Sequence, residues 1–384
     1  MTAFTSPAVP LQINRGIVVQ ATDQPATEAA QQAVNGELQA LGLTAAVEGS
    51  GCTPAPGDLQ WVLKQERIDA WMPDLNTFAL CERAGLQSRS HTADLAREIW
   101  LTLLASPVAW VFPSAEELLS AVRMRLFIVQ AARKTALDFH TSEAERPNDC
   151  WTYQKETGFT VRPGSPLIDA LIKATQPEAS GMLYAFSCYR ATEYILLLAI
   201  AQEAQISNPA LLAALQKQWE TRAVMSGRFH EVFLREIGSI DEPLPISYYI
   251  PGDRVWFRNP DDASSDVAGF EGSWVFYLGG GQFSNFWQRN KPFTLASKCV
   301  DVYQWRNGTT RDANGELQMN EELVEQLVDT TMTQPAEVER ITQRMYRLRD
   351  PQGVYAQGGA MDTSRESPRW VRPGTTDIVL PGMY

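Results

Sequence analysis

Of the five cysteines, at positions 52, 81, 150, 188 and 299, only Cys188 stands where a thiol can be made reactive. It opens a stretch with helical spacing, Ala191, Ile195 and Leu198 on one side, after the apolar approach 181–186 and a Ser187 suited to the N-cap. Only the thiolate is nucleophilic, and the first turn of a helix favours it, because unpaired amides and aligned peptide dipoles attract negative charge there. Such a thiol could serve as a covalent nucleophile. The position also suits a structural cysteine, since free cysteines are among the most buried residues. The other four have no comparable setting and are assigned to packing or surface.

A thiol on a helix needs a surface to face, and the chain offers one downstream. The turn Pro251-Gly252-Asp253 leads into a strand over 254–258, and two further strands, 271–278 and 282–287, are joined by Gly279-Gly280-Gly281 as a hairpin turn. The cysteine helix should run over 188–204. Before it, Ser114 and Glu117 are spaced as a capping box for a helix reaching about residue 139, with Leu118, Val122, Leu126 and Val129 as its packing stripe. The fold class expected is α+β, with a cysteine helix followed by a small antiparallel sheet.

Upstream lies an extra α/β module, 1–110, of unknown role. It begins with loose residues 1–14, a strand at 16–20 and a helix at 27–41 closed by Gly42. A turn-rich break at 51–58, a strand at 59–62 and a helix at 92–104 follow. Residues 111–330 then form the cysteine domain, and 331–384 a C-terminal helix and an extended or partly disordered arm from about 350.

Composition narrows the function. A net charge of −12 repels phosphate backbones, and no basic stripe interleaved with aromatics overcomes it, so nucleic acid is not expected as a partner. Three histidines and the absence of a calcium or phosphate loop argue against a metal or nucleotide motif. The longest apolar run, 194–201, is far below the ~20 residues of a membrane span. With an odd number of cysteines and no export signal, synthesis in the cytoplasm is expected, with an unconventional route of export, as for an injected effector, left open.

The stretch Leu183-Tyr184-Ala185-Phe186-Ser187-Cys188-Tyr189-Arg190-Ala191 resembles the nucleophile motif of Bacillus-type spore-coat protein-glutamine gamma-glutamyltransferases, where an aromatic-Ala-Phe-acid-Cys sequence opens the helix. Residues 117–134 are similar to that family's long preceding helix. Gly252-Asp253-Arg254-Val255-Trp256-Phe257-Arg258-Asn259-Pro260 resembles its Gly-Asp-x-x-Tyr-Phe-x-Asn-Pro strand, and 270–279 falls where it has an aromatic-Arg-Gly-Glu-Asn-Val strand. The resemblance covers about 113–290. It implies a papain-like core and a transglutaminase acting on protein glutamine through a cysteine thioester. An amine or lysine acceptor then gives an isopeptide crosslink and water gives deamidation, with no metal or organic cofactor required.

Carried over residue by residue, the resemblance keeps the nucleophile and loses its partners. The acid before the cysteine becomes Ser187, the catalytic glutamate of the strand becomes Ser273, and the histidine of the next strand falls on Phe286-Trp287. Strand alternation puts Glu271 on the face of Ser273, about 7 Å away, as a candidate substitute carboxylate at a long offset for a hydrogen bond, with a solvated edge carboxylate as the other reading. His230, beside Val232-Phe233-Leu234, resembles a histidine-aromatic site of the family and is a candidate base, with a structural histidine as the other reading. Ser187 and Ser273 are polar supports; Glu193, five residues into the helix, should point elsewhere. Two other readings stand beside the enzyme: a degenerate member acting as a binding or structural protein, and a papain-like hydrolase cutting peptides or cell-wall amides.

Overall fold

The computed structural model describes residues 15–50, 58–138, 145–156, 158–224, 226–349 and 359–381. The expectations for 1–14, for the break after residue 50 and for 350–358 lie outside these, as does Cys52.

Four strands, Gly16–Val19 (β1), Val47–Ser50 (β2), Leu59–Leu63 (β3) and Ala109–Phe112 (β4), form a sheet in the order β2-β3-β1-β4, with only β1 and β4 parallel. β1 and β3 are buried along their whole length, Gln60 of β3 included, whose side-chain amide donates to the Arg15 carbonyl at 2.8 Å. The Gln24–Ala40 helix starts where the Asp23 carboxylate accepts from the Ala26 amide at 2.8 Å, and buries Ala30, Val34 and Leu38 as one stripe. This module does not stand apart. A single apolar core runs from Ile17 through the cysteine helix to Leu380.

Trp151–Gln154 (β5) and Gly158–Val161 (β6) form a small ladder. The main sheet comprises Leu234–Ile237 (β7), Arg254–Arg258 (β8), Gly272–Gly279 (β9) and Gln282–Phe283 (β10). After a second ladder, Thr309–Arg311 (β11) with Leu317–Met319 (β12), it is joined by Arg365–Pro368 (β13). Its order is β10-β9-β8-β13-β7, antiparallel throughout. The segment expected as an extended or partly disordered arm therefore supplies a strand to the interior of the sheet, after helices Glu321–Met332 and Pro335–Met345 in the chain.

The triple glycine does turn β9 into β10, and the reason lies in the N-terminal module. Glu98, fully buried on the Thr92–Leu104 helix, accepts from the Gly280 amide at 3.0 Å and from the Tyr277 hydroxyl at 3.2 Å. A Cβ at Gly279, where φ is +79°, would come within 2.6 Å of the Glu98 carboxylate. β10 stops at Phe283, short of the expected 287.

The Ala115–Lys134 helix begins at Ser114, whose hydroxyl accepts from the Glu117 amide at 3.2 Å. It ends at Lys134 rather than near 139, because the Leu137 amide is taken by the Phe286 carbonyl at 2.8 Å. Glu117 does not close a capping box. Its buried carboxylate accepts from the amides of Val371 and Arg372 at 2.9 and 3.1 Å and from the Thr375 hydroxyl at 2.6 Å, pinning the chain just after β13. Glu117→Ala would leave those amides without acceptors and should cost about 2–4 kcal/mol, read as a lowered midpoint in urea denaturation. A loss below ~1 kcal/mol would mean that solvent replaces the carboxylate.

No helix among the described residues is long and apolar enough to cross a membrane. Nor, among them, do three or more His, Cys, Asp or Glu side chains gather in a way that could hold a metal.

Candidate active site

Cys188 is the first residue of a 20-residue helix, Cys188–Ser207, and Ser187 caps it by accepting from the Arg190 amide at 3.3 Å. The approach is fixed as well: Asp138 donates its amide to Tyr184 at 3.1 Å and accepts from Phe186 at 3.0 Å. The helix packs between Ala115–Lys134 and β9, so its first turn faces the start of that strand.

The thiol is 8 % exposed. Burial pushes its pKa up, against hydrogen bonds from the backbone of Trp274 and Tyr189 and the positive charges of Lys298 and Arg254, all of which favour the thiolate. It borders a cavity of about 640 Å³ lined also by Ser273, Asn285, Lys298, Asp301 and the rings of Phe293 and Trp305.

Lys298 was not singled out from the sequence. It lies on the Leu295–Gly308 helix, 2 % exposed, its ammonium 2.8 Å from Asp301 and 4.2 Å above the Phe293 ring. The helix start is held by a capping box between Thr294 and Ser297. The i,i+3 spacing of Lys298 and Asp301 was the only signal, and it is that of any helix ion pair. Here the pair is at the cysteine cavity because the Phe293 and Trp305 rings cover it.

The residues expected around the thiol divide. Ser187 is the cap, and Ser273, buried opposite Phe257 on β9, lines the cavity with Cys188. Glu271 does not join them: β9 begins only at Gly272, and the Glu271 carboxylate is on the exposed side, accepting from the Gly269 amide at 3.3 Å. Gly272 itself is required by the indole of Trp256, which a Cβ would meet at 2.1 Å. His230, on the Ser226–Phe233 helix, is not at the cavity either. Its Nδ1 lies 2.9 Å from Glu366 of β13. Of the pair where the histidine was expected, Phe286 is a core residue and Trp287 lines the cavity, as does Asn285.

His230 belongs to a buried charge network behind the cysteine helix. Arg254 on β8 is ion-paired with Glu366, donates to the Thr192 hydroxyl at 2.8 Å, and is stacked between Trp274 at 3.8 Å and Tyr189 at 4.5 Å. Those two residues supply the backbone groups that meet the sulfur, so Arg254 braces the frame of the site. Glu193 does point away from Cys188. It pairs with Arg190 at 2.5 Å and has one buried oxygen without a partner.

The network makes stability depend on pH. Burial, only partly offset by Arg190 and Arg254, pushes Glu193 from its ordinary 4.5 to about 7. An acid raised in the folded state is protonated there while ionised in the unfolded chain, so stability falls as pH rises from 4.5 to 7, by about 3 kcal/mol. The hydrogen bond to Glu366 raises His230, whose contribution is complete below 6.5 and is lost as pH rises through its folded value. Against burial, His230 and Arg254 hold Glu366 below its ordinary value, so its contribution is lost only as pH falls through that lower value. Melting temperature should therefore decline between pH 5 and 8, and Glu193→Gln should flatten that decline. An unaltered slope in the variant would remove Glu193 as its source.

Residues 77–378 match the family described as protein-glutamine gamma-glutamyltransferase. No curated protein matches the chain. Among solved structures, a transglutaminase from Geobacillus stearothermophilus (without C-terminal extension) is similar at 21% identity and a TM-score of 0.40, over 56% of this chain and 98% of that one. The family match covers more than three-quarters of the sequence, from the N-terminal module to beyond β13, and the chain belongs to the protein-glutamine gamma-glutamyltransferase family.

Proposed function

We propose that the chain is a transglutaminase in which Cys188 attacks the side-chain carboxamide of a protein glutamine, with Lys298 as the charge that favours its thiolate. The observation that carries this is the shared cavity: a cysteine at the first position of a helix beside a buried ammonium, in a chain of this family. A papain-like core is the corresponding reading of the fold, since the cysteine helix lies against an antiparallel sheet.

In the first step the sulfur bonds to the carboxamide carbon, the C–N bond breaks, and nitrogen leaves as ammonia carrying the thiol proton. A lysine or other primary amine then displaces the sulfur, leaving an isopeptide bond and returning a proton to the thiol. Water in place of the amine gives glutamate. The cavity holds no histidine and no carboxylate hydrogen-bonded to the sulfur among the described residues, so charge stabilisation rather than a histidine base carries the activation.

A second reading is favoured by the fact that burial raises the Cys188 thiol while Glu271 and His230 are engaged elsewhere. That reading is a binding protein that keeps the fold without the reaction. Incubation with a glutamine peptide and a fluorescent primary amine decides between them. Amine incorporation, with a thioester adduct on Cys188 by intact mass, establishes transamidation; ammonia release without incorporation establishes deamidation. Neither product, together with an intact and folded chain, would overturn the enzymatic reading.

A further inference from the structure

A second cavity, of about 830 Å³, shares no lining residue with the one at Cys188. Its charges oppose those of the whole molecule. In a chain of net charge −12, four arginines, at 146, 190, 222 and 228, line it against one acid, Glu156. Arg190 is committed to Glu193.

Arg146 is the informative one. It is 6 % exposed, and among the described residues no carboxylate lies within ion-pair distance. Its Nη1 donates to the carbonyls of Glu145 and Ala185, the Tyr194 hydroxyl is a further hydrogen-bond partner of the guanidinium, and its Nε is buried without a partner. Burying a cation without a counter-ion is costly, and an orphaned buried donor calls for an acceptor. The rings of Phe186, Tyr194 and Phe159 lie at 3.4, 4.7 and 5.0 Å from the guanidinium, so stacking fixes its plane and leaves its edge for hydrogen bonding. A second orphan lies in the same wall: the indole N–H of Trp219, also buried and without an acceptor. A buried guanidinium without a carboxylate partner, two further exposed arginines and aromatic walls are complementary to acceptor oxygens on a flat, apolar body.

We infer that this cavity is a binding site for a small organic anion, a phosphate or carboxylate group on a planar ring, held by Arg146 with Arg222 and Arg228. The site is separate from the acyl-transfer cavity and does not depend on Cys188 being reactive.

Calorimetric titration of the full chain with phenyl phosphate and with benzoate tests it, beside inorganic phosphate and phenol as half-ligands. The expected result is saturable binding of at least one ring-bearing anion, about tenfold or more tighter than either half-ligand. The choice between phenyl phosphate and benzoate identifies the anionic group. Arg222 and Arg228 are exposed, so Arg222→Ala/Arg228→Ala should fold normally and weaken binding about fivefold or more, while Arg146→Met should abolish it. No saturable heat from any probe up to about 10 mM, or unchanged affinity in the folded double variant, would overturn the inference.

Discussion

Lys298→Met is expected to lower amine incorporation by about 10²–10³-fold, the size of effect seen when one preorganised electrostatic group is removed from an active site. The argument rests on what else could make Cys188 nucleophilic. Burial opposes the thiolate, and of the influences that favour it, the backbone bonds from Trp274 and Tyr189 survive any substitution of Lys298. What Lys298→Met removes is a cation in the same cavity, so the thiol pKa must rise. The rate of Cys188 alkylation by iodoacetamide should therefore move to higher pH, a shift that damaged packing alone would not produce. Methionine nearly matches the buried stem, and Asp301, 20 % exposed, can be hydrated once its partner is gone, so the melt should change little. Lys298→Arg keeps the charge and should recover part of the activity, and Cys188→Ala sets the floor of the assay. An alkylation profile that stays in place would show that Lys298 does not act on the sulfur.

Why that lysine escaped sequence reading, while the cysteine did not, is a matter of where the signal resides. Cys188 is announced locally: an apolar approach, a serine cap and a helical stripe are all within a few residues. β8 and β9 are legible for the same reason, since their apolar residues and bounding turns are contiguous. Lys298 and Asp301 look like a solvated helix pair, and only residues folded over them make them part of a site. β13 is harder still. Its sequence, Arg-Glu-Ser-Pro, has no apolar residue, yet it lies between β8 and β7 because Glu366 meets Arg254 and His230 there. Burial of such a segment is decided by partners more than a hundred residues away. Glu271 shows the opposite error, alternation extended one residue beyond the point where β9 begins, and Glu117, spaced as a local cap, instead serves the distant Val371 and Arg372 amides.

Arg254→Met carries the largest expected loss of stability, about 3–5 kcal/mol, because it removes one member of a buried pair and leaves the other charged. Arg254 is 1 % exposed and Glu366 7 %, so water cannot replace the guanidinium without opening the sheet. Glu366 would retain only His230, and Glu193 would lose a cation that favours its ionised form. A guanidium's loss also frees the Trp274 and Tyr189 rings stacked on either side of it, so incorporation should fall about tenfold or more even well below the melt, through misplacement of the groups around Cys188. The test of the cause is the double variant Arg254→Met/Glu366→Gln. If an uncompensated carboxylate is what destabilises the single variant, neutralising it must return part of the lost stability, a coupling of about 1–3 kcal/mol, while the activity defect persists because the stack is still missing. His230 reports independently: with Glu366 neutral, the influence that raises its pKa disappears, and its NMR titration should move down toward 6.5. Additive losses in the double variant, with His230 unmoved, would mean that β13 is held by packing alone and that the charges behind the cysteine helix are incidental to it.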